Sequence, residues 1–153
     1  MARACFYVLN ANTEAHLPRL ISQLIAPLVK QRRKIVVLAA QQEQAEAIDE
    51  ALWQFPVQQF IPHNLYGEGP VAGTPVLIGW QQPLAELTQQ RNVIINLQAS
   101  APELARQTQF IIDIVPADEA GKEQARERYR HYRNLGIQLD TQPAPELNEG
   151  HYG

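Results

Sequence analysis

The sequence predicts one α/β domain of three layers, a mostly parallel central sheet with helices on both faces. Three observations carry this. Ile35-Val36-Val37-Leu38-Ala39-Ala40 is apolar throughout, as expected of a strand buried on both faces of a parallel sheet. Strand-like and helix-like stretches alternate along the chain, the pattern of a layered α/β domain. At 153 residues with 45% hydrophobic and 19% charged content, the chain fits one domain with a real core. The domain is expected over residues 1–139. Residues 140–153, polar and proline-rich from Asp140-Thr141-Gln142-Pro143, are expected to form a loose tail.

Cys5-Phe6-Tyr7-Val8-Leu9 reads as the first strand, closed by the turn-like Asn10-Ala11-Asn12. Leu17, Leu20, Ile21, Leu24, Ile25 and Leu28 then recur at helical spacing. Pro18 fits the first turn of that helix, whereas Pro27 predicts a kink or break. Lys30-Gln31-Arg32-Arg33-Lys34 closes the helix, where cations favour the carbonyl-rich end, or else makes a phosphate patch. A second helix is expected over about Gln42 to Trp53, with Ala45, Ile48 and Leu52 inward. Val76-Leu77-Ile78-Gly79 and Val93-Ile94-Ile95-Asn96-Leu97 are further strands. Ser100-Ala101-Pro102-Glu103 matches a capping box opening a short helix. Phe110–Val115 is an apolar, β-branched strand that Pro116 stops. Asp118 stands at the N-cap of a helix running to about Arg133, with Glu119 in its first turn.

Net charge is −3, which lacks the basic balance of a module that grips nucleic acid. Ten arginines against three lysines favour planar, bidentate recognition. A single cysteine, Cys5, excludes an internal disulfide and a multi-cysteine zinc site, and no metal ligand set is expected. No apolar stretch approaches the roughly 18–20 residues needed to span a bilayer. The N-terminus lacks a signal-peptide layout, so a cytoplasmic location is expected.

No catalytic constellation emerges. His63 with Glu68 offers acid–base groups in the loop-like Phe60–Pro70 stretch, but no second ligand sits near His63 at metal spacing. Ser22 and Ser100 are the only serines, and no Gly-x-Ser-x-Gly elbow surrounds either. The glycines of GEGPVAGTP are not followed by Gly-Lys-Ser/Thr, and the first strand-to-helix turn has no glycine. A Rossmann-like layering is therefore expected without a nucleotide-binding loop, and no cofactor. His63 reads as a structural hydrogen-bonder in a rigid turn.

Two features remain. At about 100° per residue, Lys122, Arg126, Tyr129, Arg130 and Arg133 share an arc of roughly 100° on the last helix. The face suits a ligand with several negative charges and an apolar part, or is an ordinary solvated face that Glu123 and Glu127 partly neutralise. Arg128 points elsewhere and reads as structural, paired with a carboxylate, because a buried charge left alone is costly. Trp53, with Phe55, Phe60 and Ile61 close behind it, reads either as core or as an exposed apolar patch marking an interface.

FYVLN near the start, DEALWQFPVQQFIPHNLYGEGP in the middle and FIIDIVPADEAGKEQARERYRHYRNLG near the end carry a resemblance. Together they resemble the chi subunit family of the bacterial DNA polymerase III clamp-loader assembly, over most of the chain from Phe6 to Gly136. The resemblance implies a non-catalytic adaptor that touches DNA only indirectly and takes no small-molecule substrate. Its implied partners are a psi subunit and the acidic C-terminal tail of single-stranded DNA-binding protein, a run of aspartates followed by Ile-Pro-Phe and the free carboxylate. The implied tail-binding positions are Val115, Lys122, Arg126, Tyr129 and Arg130, to which the helical arc adds Arg133. Trp53 and Phe60 are the implied anchors for psi. The competing reading is a direct nucleic-acid-binding module using Arg32, Arg33 and the Arg126 face.

Overall fold

Four-residue strands buried at every position need cover on both faces, and the fold supplies it. The computed structural model of the chain describes residues 2–55, 60–69 and 73–148. In chain order these form β1 (Arg3–Val8), α1 (Ala11–Ala15), α2 (Leu17–Lys30), β2 (Ile35–Leu38), α3 (Gln42–Gln54) and β3 (His63–Leu65). There follow β4 (Val76–Gly79), α4 (Leu84–Leu87), β5 (Val93–Asn96), β6 (Phe110–Val115), α5 (Glu119–Asn134) and β7 (Gln138–Pro143). The sheet is parallel throughout, in the order β3-β4-β2-β5-β6-β1-β7. The expected α/β class holds.

Alternate side chains of each strand enter opposite cores. Ile35 and Val37, Val76 and Ile78, Val93 and Ile95, Ile112 and Ile114 meet Leu20, Ile21, Leu24 and Ile25 of α2 and Ala45, Ile48 and Leu52 of α3. On the other face Val36, Leu38, Leu77 and Ile94 pack on Leu87 of α4. Ala4, Phe6 and Ile111 pack there on Tyr132 of α5.

Four expectations are corrected. α2 runs unbroken through Pro27, which sits on an exposed turn near the C-terminal end, so the missing donor costs one solvent-side bond. No helix opens at Ser100-Ala101-Pro102-Glu103. Asn96 Nδ2 donates to the carbonyls of Gln98 (3.4 Å) and Ser100 (3.3 Å), and Asn96 Oδ1 accepts from Gln98 N (3.2 Å). Local side-chain bonds of this kind compete with a helix, and Pro102 disfavours the helical conformation before it. His63–Leu65, read as a turn, pairs with Val76–Ile78 as an edge strand.

The fourth correction concerns the tail. Gln138–Pro143 pairs with β1 along its full length, Arg3 opposite Gln138 through Val8 opposite Pro143. Ala144 is buried and Leu147 packs on the same core, so residues 140–148 belong to the fold rather than to a loose tail. Their polar composition reflects an edge position, where most of the strand is exposed. Residues 149–153, also expected to be loose, and residues 70–72 of the GEGPVAGTP stretch lie outside the described residues.

Candidate functional site

The carboxyl end of β6 and the start of α5 set up the site. Asp118 caps α5, its Oδ2 accepting from Gly121 N at 3.0 Å. A Cβ at Gly121 would stand 2.6 Å from Pro116 Cβ, so only glycine lets the first turn of α5 approach the strand end this closely.

One strong anchor fixes the rotation of α5. Arg128 Nε donates to Asp113 Oδ1 (2.8 Å), its Nη1 to Ala99 O (2.9 Å) and its Nη2 to Ile114 O (2.9 Å). Asp113 Oδ2 accepts from Tyr132 Oη (3.0 Å) and from Asn96 Nδ2 (3.4 Å). Burial holds the Asp113 carboxyl above the usual carboxylate range, with Arg128 the chief group opposing that. Arg128 is structural and paired with a carboxylate, as its helical position implied.

With Arg128 turned inward, Lys122, Arg126 and Tyr129 turn toward β1. Together with Ala125 they overhang a groove of about 280 Å³ whose other walls are Phe6 and Val8 of β1, Val115 of β6 and Thr141 of β7. The Phe6 and Tyr129 rings lie 5.4 Å apart, so the floor and one wall are aromatic and aliphatic. The charge sits at the rim. Lys122 Nζ is 3.9 Å from Glu119 Oε1, and Arg126 Nη1 is 2.6 Å from Glu123 Oε2. Arg130 Nη2 is 2.9 Å from Glu127 Oε1 and 3.8 Å from Glu123 Oε1. These pairs are solvent-exposed and screened, so each is worth little and yields readily to a better anion.

Of the six residues singled out on the sequence, the groove gathers four: Val115, Lys122, Arg126 and Tyr129. Arg130 and Arg133 are exposed farther along α5 and do not line it. Phe6, Val8, Ala125 and Thr141 went unrecognised. FYV was visible as a strand, but which of its residues faces α5 depends on a register that only the sheet sets.

A second surface lies at the far end of α3. Trp53 is 62% and Phe60 61% exposed, so these two form a patch, whereas Ile61, read together with them, is buried in the core. Their rings stand 5.3 Å apart, and Trp53 lies edge-on 5.2 Å from His63. His63 is buried, with Nδ1 2.7 Å from Ile61 O and Nε2 3.0 Å from Asp49 Oδ1. Its carboxylate neighbour is therefore Asp49 rather than Glu68, and it props the patch from behind. Burial raises the Asp49 carboxyl, against the influence of His63.

At the first strand-to-helix turn, Asn10 Oδ1 accepts from Thr13 N (2.9 Å) and Thr13 Oγ1 accepts from Asn10 N (2.9 Å). Two amides of this turn, those of Asn10 and Thr13, are thus engaged by a capping box. Among the described residues no cluster of three His, Cys, Asp or Glu is placed to hold a metal ion, and no helix is long and apolar enough to cross a membrane.

Fold and site define a Rossmann-like α/β protein with a cation-rimmed apolar groove beside the carboxyl end of β6. Residues 1–140 match the family described as DNA polymerase III chi subunit, HolC. The chain is 35% identical over 145 residues to DNA polymerase III subunit chi of Escherichia coli strain K12, covering 92% of this chain and 97% of that one. It is 37% identical over 139 residues to the Haemophilus influenzae subunit chi, covering 91% and 95%. It is 29% identical over 148 residues to that of Pseudomonas aeruginosa, covering 96% and 100%. The chain belongs to the DNA polymerase III chi subunit family, a replication accessory subunit with protein partners in the polymerase assembly.

Proposed function

We propose that this chain is a non-catalytic replisome adaptor that binds the acidic C-terminal tail of single-stranded DNA-binding protein and, through a psi subunit, links it to the clamp loader. One observation carries the reading: an apolar groove opens where Lys122 and Arg126 stand at the rim. A chain end that is apolar at its tip and acidic behind it matches both parts. Capture of a terminal carboxylate beside a hydrophobic pocket is a recurring recognition mode. Arg126 takes the terminal carboxylate, where a guanidinium makes two parallel hydrogen bonds. Val115 and the edge of Tyr129 wall the terminal Phe and Pro. Lys122, Arg130 and Arg133 meet the aspartates as exposed, salt-sensitive contacts. Trp53 and Phe60, exposed and with their rings in tilted contact, serve as the psi anchors, since aromatics that become desolvated often carry interface energy. In this reading DNA is reached only through the protein partners, no small molecule is consumed, and the adaptor works in the cytoplasm.

The groove's chemistry favours this over direct nucleic-acid binding. Arg33 lies over the Phe110 ring at the start of β6, whereas Arg126 lies near Val115 at its end, about 16 Å away along the strand. The two basic groups do not form one track.

The test is fluorescence anisotropy with a labelled peptide ending Asp-Ile-Pro-Phe. Binding at micromolar concentration that disappears when the last Phe is removed supports the groove. Equal binding of the shortened peptide, or tighter binding of single-stranded DNA at moderate salt, overturns it.

A further inference from the structure

Thr141 stands in the one part of the chain that composition marked as tail. It is opposite Phe6 in the β1–β7 register, so both side chains emerge on the α5 face, where Thr141 closes the groove on the side away from Val115. Yet β7 is a poor wall by itself. It is an edge strand, exposed along most of its length, with a ladder to β1 on one side. The segment after Pro143 makes up the deficit.

Ala144 N donates to Val8 O at 2.9 Å, and the chain crosses the end of the sheet to the opposite face. There Ala144 and Leu147 join the core beneath α2. Gln23 of α2 then meets the backbone as a neighbouring strand would: Nε2 donates to Glu146 O and Oε1 accepts from Asn148 N, both at 2.8 Å. An amide side chain, donor and acceptor at once, is suited to such a clamp. Arg19, one turn earlier on the same helix, donates to Asn148 O. The family match ends at residue 140, so the strap lies beyond it.

Building on the groove reading above, we propose that Thr141 is a specificity-determining wall of the peptide site and that Gln23, on the opposite face of the sheet, is a positioning residue. By clamping residues 146–148 it fixes the end of β7 and so keeps the groove from widening. Recognition by shape needs walls that do not move, because a wall that yields gives up the contacts that tell Phe from its absence.

Full-length Gln23→Ala and Thr141→Trp test the two parts, with anisotropy measured for the Asp-Ile-Pro-Phe peptide and for the same peptide lacking Phe. Wild type is measured first: if it does not distinguish the peptides, the groove reading itself fails. Given that distinction, Thr141→Trp is expected to weaken the full peptide about tenfold or more, because an exposed strand position accepts Trp and the indole fills the groove. Gln23→Ala is expected to weaken it about three- to tenfold, leaving the shortened peptide and the salt dependence as in wild type. That pattern is loss of the wall with the rim charges intact. Cooperative melting establishes that each variant is folded. Wild-type discrimination in folded Thr141→Trp overturns the wall, and in folded Gln23→Ala it overturns the clamp. If Gln23→Ala does not fold, its effect is global rather than positional and the clamp is overturned, while Thr141→Trp still decides the wall.

Discussion

Arg128 Nε lies 2.8 Å from Asp113 Oδ1, with the two side chains 5% and 0% exposed. The pair joins the middle of α5 to the middle of β6, and the remaining guanidinium donors reach the carbonyls of Ala99 and Ile114. This contact sets which face of α5 looks outward. The groove exists because Arg128 is used up inside.

Removing one member strands the other. Arg128→Ala leaves a buried carboxylate without its cation and is expected to cost about 3–5 kcal/mol of stability. In a domain of this size that lowers the melting midpoint by roughly 6–20 °C. Differential scanning calorimetry reads it, and an unchanged midpoint would disprove the anchoring role.

Arg126→Ala is the contrasting case. Its side chain is 55% exposed and pairs only with the exposed Glu123 among the contacts seen, so the melting midpoint should stay within a degree or two, about the scale of a surface pair. Affinity for the Asp-Ile-Pro-Phe peptide should fall by about 2–3 kcal/mol, the loss of a charge-assisted bidentate contact. Stability loss without affinity loss would reverse the assignment.

On the proposed reading, Glu123 competes with the peptide. It lies 2.6 Å from Arg126 and 3.8 Å from Arg130, a carboxylate where the peptide's own is to bind. Glu123→Gln is expected to tighten the peptide about two- to fivefold at low salt, with the gain shrinking as ionic strength rises. Weaker binding in this variant would mean that Glu123 orients the arginines rather than occupying them.

Trp53→Ala and Phe60→Ala should abolish co-purification of a psi subunit and leave tail-peptide affinity unchanged, since patch and groove are built by different elements. Removing a mostly exposed side chain should move stability by about 0.5 kcal/mol. Loss of peptide binding in either variant would contradict the separation of the two surfaces.

An alkaline titration read out by tyrosinate absorbance gives a prediction of known sign. Burial pushes the Tyr7 phenol up to about 12, and burial beside Asp113 pushes Tyr132 up as well. A folded-state value above the unfolded one near 10 means that the stabilisation is full below about pH 10 and is lost as pH rises toward 12. Both phenols should therefore ionise late, together with a falling melting midpoint. Ordinary titration of all tyrosines near pH 10 in the folded protein would show these two to be solvated.

How far the sequence could be read depended on how local each signal was. The N-cap at Asp118 and the stop at Pro116 are set within a turn or two of chain and stand as expected, whereas of the arc Lys122, Arg126, Tyr129, Arg130 and Arg133 only the first three line the groove. The capping box at Ser100 failed because Asn96, four residues earlier, claims Ser100 O. β7 was missed for another reason. An edge strand needs no apolar alternation, so Gln138–Pro143 carries none, and only pairing with β1 far along the chain makes it a strand.

The α/β class, the all-buried central strands, the inward Arg128 and the cationic face of α5 can be read from neighbouring residues, because burial and helical period are local properties. Where that face looks depends on the assembled sheet. The β1–β6 and β1–β7 registers place Phe6, Val8, Val115 and Thr141 beneath it, and a register between strands distant in sequence is a property of the assembled sheet.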